Sequence, residues 1–415
     1  MKITTEPSLM DDAKDAASLR SSRLLLMAGV VLIAANLRAS ITVVGPLAAS
    51  IRNDTGLSNV MTSLLTALPL IAFALISPLA PALSRRFGTE RTLLGGLIAL
   101  AAGIVLRSVP SAAALYAGTA ILGAAIAVSN VMLPALIKRD FAHQVGLMTG
   151  LYTVSMSGLA GLASGISVPM AEGLGLGWRG SLGCWALLAA AGIAVWLPQL
   201  RGAKPSLSAP APAKASGSLW RSPLAWQVTL FMGLQSLAFY VTIAWLPAIL
   251  HDRGMSAAAA GWMLSLMQFV SLPASFIVPV LAGRTASQRG LVAFTAAASL
   301  IGYGGLLLFP AAAMVPVWIV FIGLGLGASI SLALAFFALR SSSAPQAAAL
   351  SGMAQSFGYL LAALGPILFG WLHDLTGGWT GPLFVLIAVI VLFFIVGLGA
   401  GRNTQLSSSS EQSQQ

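Results

Sequence analysis

Twelve long apolar runs, parted by short polar segments, constrain this chain more than any other feature. They fall near residues 24–49, 59–83, 92–109, 113–137, 144–170, 180–199, 224–250, 257–282, 290–309, 313–339, 347–372 and 380–400. Each has about the 20 apolar residues that a helix needs to cross a bilayer. Inside lipid every backbone N–H and C=O must find a partner within the protein, so only helices or closed barrels can span it. Barrel strands alternate apolar and polar residues over about ten positions, whereas these runs are continuous. The expected class is all-α: a polytopic membrane protein of twelve transmembrane helices. Of the 415 residues, 57% are hydrophobic and only 8% charged, against roughly 25% charged in soluble domains.

The net charge of +11 would suit a nucleic-acid binder if it formed a patch. It does not, so no nucleic-acid partner is expected. Of the 22 Lys and Arg residues, only Arg52, Arg107, Arg179 and Arg253 fall in outer segments, and Arg38 falls inside a run; the rest lie on the other side. The positive-inside rule then puts both termini in the cytoplasm of a bacterial cell, with the bundle in the inner membrane. Residues 1–22 lack a small-x-small cleavage site, and the run after Arg23 is too long for a signal-peptide core. The expected divisions are a cytoplasmic tail (1–22), a six-helix bundle (23–200), a cytoplasmic linker (201–221), a second six-helix bundle (222–401) and a tail (402–415). The linker is read from the Pro-, Ala- and Ser-rich stretch 202–218.

The halves echo one another at an offset of about 200 residues. Asp54-Thr-Gly-Leu-Ser58 returns as Asp252-Arg-Gly-Met-Ser256, Thr149-Gly150 as Ser351-Gly352, and Gly177-Trp-Arg-Gly-Ser-Leu182 as Gly378-Trp-Thr-Gly-Pro-Leu383. Six helices is an even number, so both copies point the same way. Such parallel repeats are the mark of the major facilitator architecture.

Arg38 is the charge that matters most. It lies 15 residues past Arg23, about 22 Å along a helix, too deep to reach either surface easily. A cation at that depth costs roughly 2.5–3.5 kcal/mol even on the lenient insertion scale. It must face a wet cavity, a substrate, or carbonyls of neighbouring helices. No Asp or Glu falls in the interior of a run to pair with it, which favours an anionic or hydrogen-bond-accepting solute over a cationic one. Asn36, Asn130, Tyr240 and Gln355 are the further candidates for substrate binding. Pro46, Trp245 and Pro247 are candidates for gating, since the prolines bend helices 1 and 7 at matching places; Trp245 also suits the aromatic belt of the lipid interface. The glycines of helix 5, Gly150, Gly158, Gly161 and Gly165, suit close helix packing.

Enzyme chemistry has little to stand on. The one cysteine, Cys184, can form no internal disulfide, and His143, His251 and His373 are far apart and read as loop residues. No metal, cofactor or catalytic set is expected.

Leu83-Ser-Arg85-Arg86-Phe-Gly88 resembles the major facilitator signature L-a-D-R-x-G between helices 2 and 3; Arg86 and Gly88 match, and Arg85 replaces the Asp that caps a neighbouring helix. Other segments resemble the cyanate permease and 2-nitroimidazole transporter family: Asn36-Leu-Arg38 with Val44-Gly-Pro46, Leu65-Thr-Ala-Leu-Pro69, Asn130 to Pro134 followed by Ile137-Lys-Arg139, and Ile243-Ala-Trp-Leu-Pro-Ala248. Trp220 to Leu230 and Ala348 to Gln355 are similar to its 2-nitroimidazole branch. The resemblance implies a transporter of small planar polar or anionic solutes. The expectation is alternating access by a monomer, with a small-molecule substrate and membrane lipid as partners. A broad drug exporter of the same fold is the alternative.

Overall fold

Serine hydroxyls start many of the helices. Ser58, Ser111, Ser222, Ser256 and Ser343 each accept a hydrogen bond from the backbone N–H three residues on, satisfying a donor that the first helical turn leaves orphaned. The computed structural model describes residues 9–141, 144–202, 219–309 and 311–406. His143 and most of the expected linker lie outside the described residues. The described residues contain 12 helices long and apolar enough to cross a membrane: Arg23–Thr42, Asn59–Phe87, Thr89–Arg107, Ala112–Asp140, Leu147–Gly173, Gly177–Leu200, Pro223–His251, Ala257–Arg284, Arg289–Leu308, Ala312–Leu339, Gln346–Thr376 and Thr380–Ala400. They are called spans 1 to 12 below.

The contacts repeat between halves. Spans 1 and 5, 2 and 4, 3 and 4, 1 and 6, and 3 and 6 pack together, as do spans 7 and 11, 8 and 10, 9 and 10, 7 and 12, and 9 and 12. Between halves, span 2 lies on span 11 and span 5 on span 8. That is one pairing and its symmetry mate.

The echoed residues explain themselves. Asp54 accepts a hydrogen bond from the Trp178 indole at 3.1 Å, and Asp252 accepts one from the Trp379 indole at 2.7 Å. Each clasp ties the segment after the first helix of a half to the start of its last. Gly56 and Gly254, with φ of 69° and 88°, sit in the left-handed region that ends the preceding helix, where glycine carries no Cβ penalty. A further symmetric contact leaves no motif. A Cβ on Gly103 would meet the Gly118 carbonyl and the Leu122 nitrogen at 2.7 and 2.8 Å, and one on Gly302 would meet those of Trp318 and Ile322 at 2.8 and 2.9 Å. Small residues let the backbones approach this closely.

Three expectations are corrected. The first run is not one helix to residue 49: it stops at Thr42 and resumes as a helix over Val44–Thr55. Pro46 lacks the N–H that would bond the Thr42 carbonyl, and the Ser164 hydroxyl points at that carbonyl instead, at 3.5 Å. Arg107, counted with the outer segments, is the buried end of span 3, and it donates to the Ser40 carbonyl of span 1 at 2.7 Å. His251 and His373 are not in loops, because span 7 runs on to His251 and span 11 to Thr376.

Basic residues gather at one end of the bundle, where spans 2, 4, 8 and 10 finish. There the loop after span 2 turns at Gly88, with φ of 86°. Arg85 and Arg86 are exposed, and Arg86 lies over the Phe87 ring at 5.3 Å. The clasp at this end uses other residues: Arg139 of span 4 pairs with Glu90 of span 3 at 2.5 Å and with Asp140 at 2.7 Å. In the second half Arg340 donates to Gln288 and to the Ala400 carbonyl. Burial holds its guanidinium below the usual arginine range.

Candidate solute site between the halves

Span 1 carries Arg38 into the middle of the bundle, and span 7 meets it there. The half-buried guanidinium lies over the Phe239 ring, 4.7 Å from its centre. A cation over an aromatic face gains about 0.5–2 kcal/mol. Among the described residues no hydrogen bond or ion pair reaches it, and none of its nitrogens is both buried and unpartnered. Its donors therefore face open space. Its charge acts on the hydroxyls of Tyr152, Tyr240 and Tyr359, on spans 5, 7 and 11. Phe73 of span 2 packs edge-on against Tyr359 at 5.4 Å. The site thus draws on both halves: one guanidinium, aromatic walls and no carboxylate.

The other candidates divide. Tyr240 belongs to this group. Asn130 joins it through Tyr152, whose hydroxyl donates to the Asn130 oxygen at 3.3 Å. Gln355 lies on span 11, one turn before Tyr359, and donates to the Ser351 hydroxyl at 2.8 Å. Asn36 is turned away: its amide nitrogen donates to the Leu188 carbonyl of span 6 at 3.2 Å and to the Leu32 carbonyl at 2.8 Å. Two residues along a helix is about 200° of rotation, so Asn36 and Arg38 cannot share a face. Tyr152, Tyr359 and Phe239 are the residues that sequence reading passed over or counted only among the polar groups of the spans. Their apolar surroundings made them look like core.

At the end of the bundle away from the basic clusters the halves press together. Pro247 frees the Ile243 carbonyl, as Pro46 frees that of Thr42. Gly45 packs directly against the Ile243 oxygen, so closely that a Cβ there would collide with it. Trp245 is fully buried, not at a lipid interface; its indole donates to the Pro366 carbonyl at 2.9 Å, and its ring packs on Trp379 at 5.2 Å. Gly370 makes room for both Trp245 and the Asn59 backbone. On the other seam Gly165 and Gly161 of span 5 receive Trp262 and Phe269 of span 8.

Comparison with known proteins agrees with this architecture. The Major Facilitator Superfamily model matches residues 30–365. The chain is 49% identical over 387 residues to the uncharacterized transporter YycB of Bacillus subtilis (93% of this chain, 96% of that one). It is 46% identical over 388 residues to the 2-nitroimidazole transporter of Escherichia coli K12 (93% and 97%), and 29% identical over 352 residues to the cyanate transport protein CynX of the same organism (84% and 90%). Among solved structures, the inward-open xylose transporter XylE from E. coli superposes with a TM-score of 0.72 at 13% identity, over 89% of this chain and 94% of that one. The chain belongs to the major facilitator superfamily, as a multi-pass inner-membrane transporter of the family that holds the 2-nitroimidazole and cyanate transporters.

Proposed function

We propose that the protein moves a small, planar, anionic or hydrogen-bond-accepting solute, cyanate- or nitroimidazole-like, by alternating access. Residues 23–200 rock against 222–401, with the basic end in the cytoplasm. The solute binds Arg38 between the aromatic walls of spans 5, 7 and 11. The observation that carries this reading is the Arg38 guanidinium, which lacks any hydrogen bond or ion pair among the described residues. A cation held at that depth is stable only if water or an anion completes its shell. A guanidinium offers a planar fork of donors that fits nitro or carboxylate oxygens two at a time. The aromatic rings add stacking surface for a flat solute. The names of the E. coli relatives support the same class.

The test is flux in proteoliposomes with wild type, Arg38→Ala and Arg38→Lys, using cyanate and 2-nitroimidazole as solutes. Saturable uptake that is lost in Arg38→Ala and reduced in Arg38→Lys, with both variants folded, is the expected result. Undiminished uptake in Arg38→Ala would sink the assignment and move the broad-exporter reading forward.

A further inference from the structure

The seam at the end away from the basic clusters holds a cluster of charges that the solute site does not use. Asn59 opens span 2, in the first half. Its amide nitrogen serves two acceptors in the second half at once: His373 Nδ1 at 3.1 Å and the Asp374 carboxylate. The His373 ring lies 4.2 Å from that of Trp379, and its nitrogens are 3.6 Å from Asp374 and 3.8 Å from Asp252. Arg52, also in the first half, is attracted by Asp252 and Asp374, while burial weakens its hold on its proton. One of its Nη atoms is buried without a partner, as is the Asn59 oxygen. His251 and Arg253 lie near in sequence but turn to the Met255 and Leu306 carbonyls. The groups facing His373 are therefore Asn59, Asp252, Asp374 and Trp379, with Arg52 behind the aspartates.

Resting on the alternating-access reading above, we propose that His373 is a proton-binding site that unlatches this end of the transporter. With Nδ1 unprotonated, the imidazole accepts from Asn59, and the halves are joined. Once Nδ1 carries a proton, it is a donor facing the donor of Asn59. Flipping the Asn59 amide does not help, because its oxygen would then face the Asp374 carboxylate. The new N–H instead turns to Asp374, already close, in a charge-assisted bond within the second half. Asp374 is thereby drawn away from both Asn59 and Arg52. One proton exchanges contacts between halves for a contact inside one half, and the seam loosens. An imidazole is the side chain suited to do this, because one proton turns a ring nitrogen from acceptor to donor. The span interiors supply no carboxylate for the task. By the positive-inside reading the seam faces outward, so the outside pH would set how often the site opens to that side.

The test is a spin–spin distance measurement on the full chain in lipid nanodiscs. Labels go on Asn53→Cys in the first half and Ala313→Cys in the second, in a Cys184→Ala background, from pH 8 to pH 5. The expected result is a roughly tenfold rise in the wider-separated population on acidification, the size expected for loss of one charge-assisted hydrogen bond. His373→Gln should abolish that pH dependence, and Asn59→Ala should hold the population wide at every pH. A wild-type distance distribution that ignores pH would overturn the proposal, and so would a pH response that survives in His373→Gln. Flux of 2-nitroimidazole on the same preparations separates the two readings. Saturable flux with a pH-blind seam removes the latch alone; a pH-driven seam without flux of any tested solute removes the transport assignment alone.

Discussion

Gly45 and Ile243 touch backbone to backbone across the two halves, Gly45 just before Pro46 and Ile243 one turn before Pro247. The carbonyl that Pro247 leaves unbonded on span 7 is the surface that the missing side chain of Gly45 exposes. Enlarging Gly45 should therefore act on the conformational equilibrium as well as on stability. Gly45→Val is expected to cost about 2 kcal/mol, within the range for overpacking, and to favour the state in which this end is open. The check is maleimide labelling of the thiol introduced by Ala48→Cys, a buried position one turn further on, in a Cys184→Ala background. Labelling should be faster when Gly45→Val is added than when Gly45 is kept. Unchanged labelling with an unchanged melting temperature would count against the contact.

The ring beneath Arg38 should matter to solute affinity more than to folding. Phe239→Leu keeps apolar volume but removes the aromatic face. Loss of a cation–π contact worth about 0.5–2 kcal/mol predicts a roughly two- to thirtyfold higher apparent KM for uptake. The melting temperature should change little. A KM that stays at the wild-type value would mean that the ring does not orient the guanidinium.

Arg107 is a second buried cation, and a poorly satisfied one. One nitrogen bonds the Ser40 carbonyl, while Nε and Nη2 are buried without partners. Replacing an incompletely paired buried charge by an apolar residue of similar length is often neutral or stabilising. Arg107→Met is thus expected to hold or raise the melting temperature in detergent while leaving uptake intact. A loss of several degrees would show that its bond to span 1 outweighs the desolvation.

Acid should loosen one clasp of the first half through Asp54. Arg179, at 2.6 Å, and Trp178 donate to its carboxylate and hold it below the usual carboxylate range. Its stabilising effect is therefore complete above the unfolded value of about 3.9. It is lost as the pH falls through the lower, folded value. Asp54→Asn should melt slightly below wild type near pH 7, by a small amount because exposed pairs contribute little, and should converge on it as the acid limb is descended. Parallel profiles for the two proteins down to pH 3 would contradict this.

The transmembrane pattern and the repeat were legible because they depend on local chemistry. Apolar runs longer than a bilayer is thick become helices whatever their neighbours, and a glycine that must end a helix or an aspartate that must hold an indole leaves the same letters in both halves. Asn36 was a candidate by its depth beside Arg38, although the two-residue spacing already turned it to another face; what it meets there, the Leu188 carbonyl of span 6, lies 152 positions away. Trp245 fitted the lipid interface by depth alone, but Gly370 on span 11 opens the space that buries it.

From the sequence alone come the twelve spans, the duplication, the depth of Arg38 and the absence of a carboxylate to pair with it, since each follows from hydrophobicity, charge and spacing along one chain. Tertiary structure alone decided that Phe239, Tyr152 and Tyr359 surround that arginine, and that Asn59 and Arg52 meet His373, Asp374 and Asp252 across a seam. Those meetings join residues up to 315 positions apart. They depend on how two helical bundles rotate and pack against each other, which no local pattern encodes.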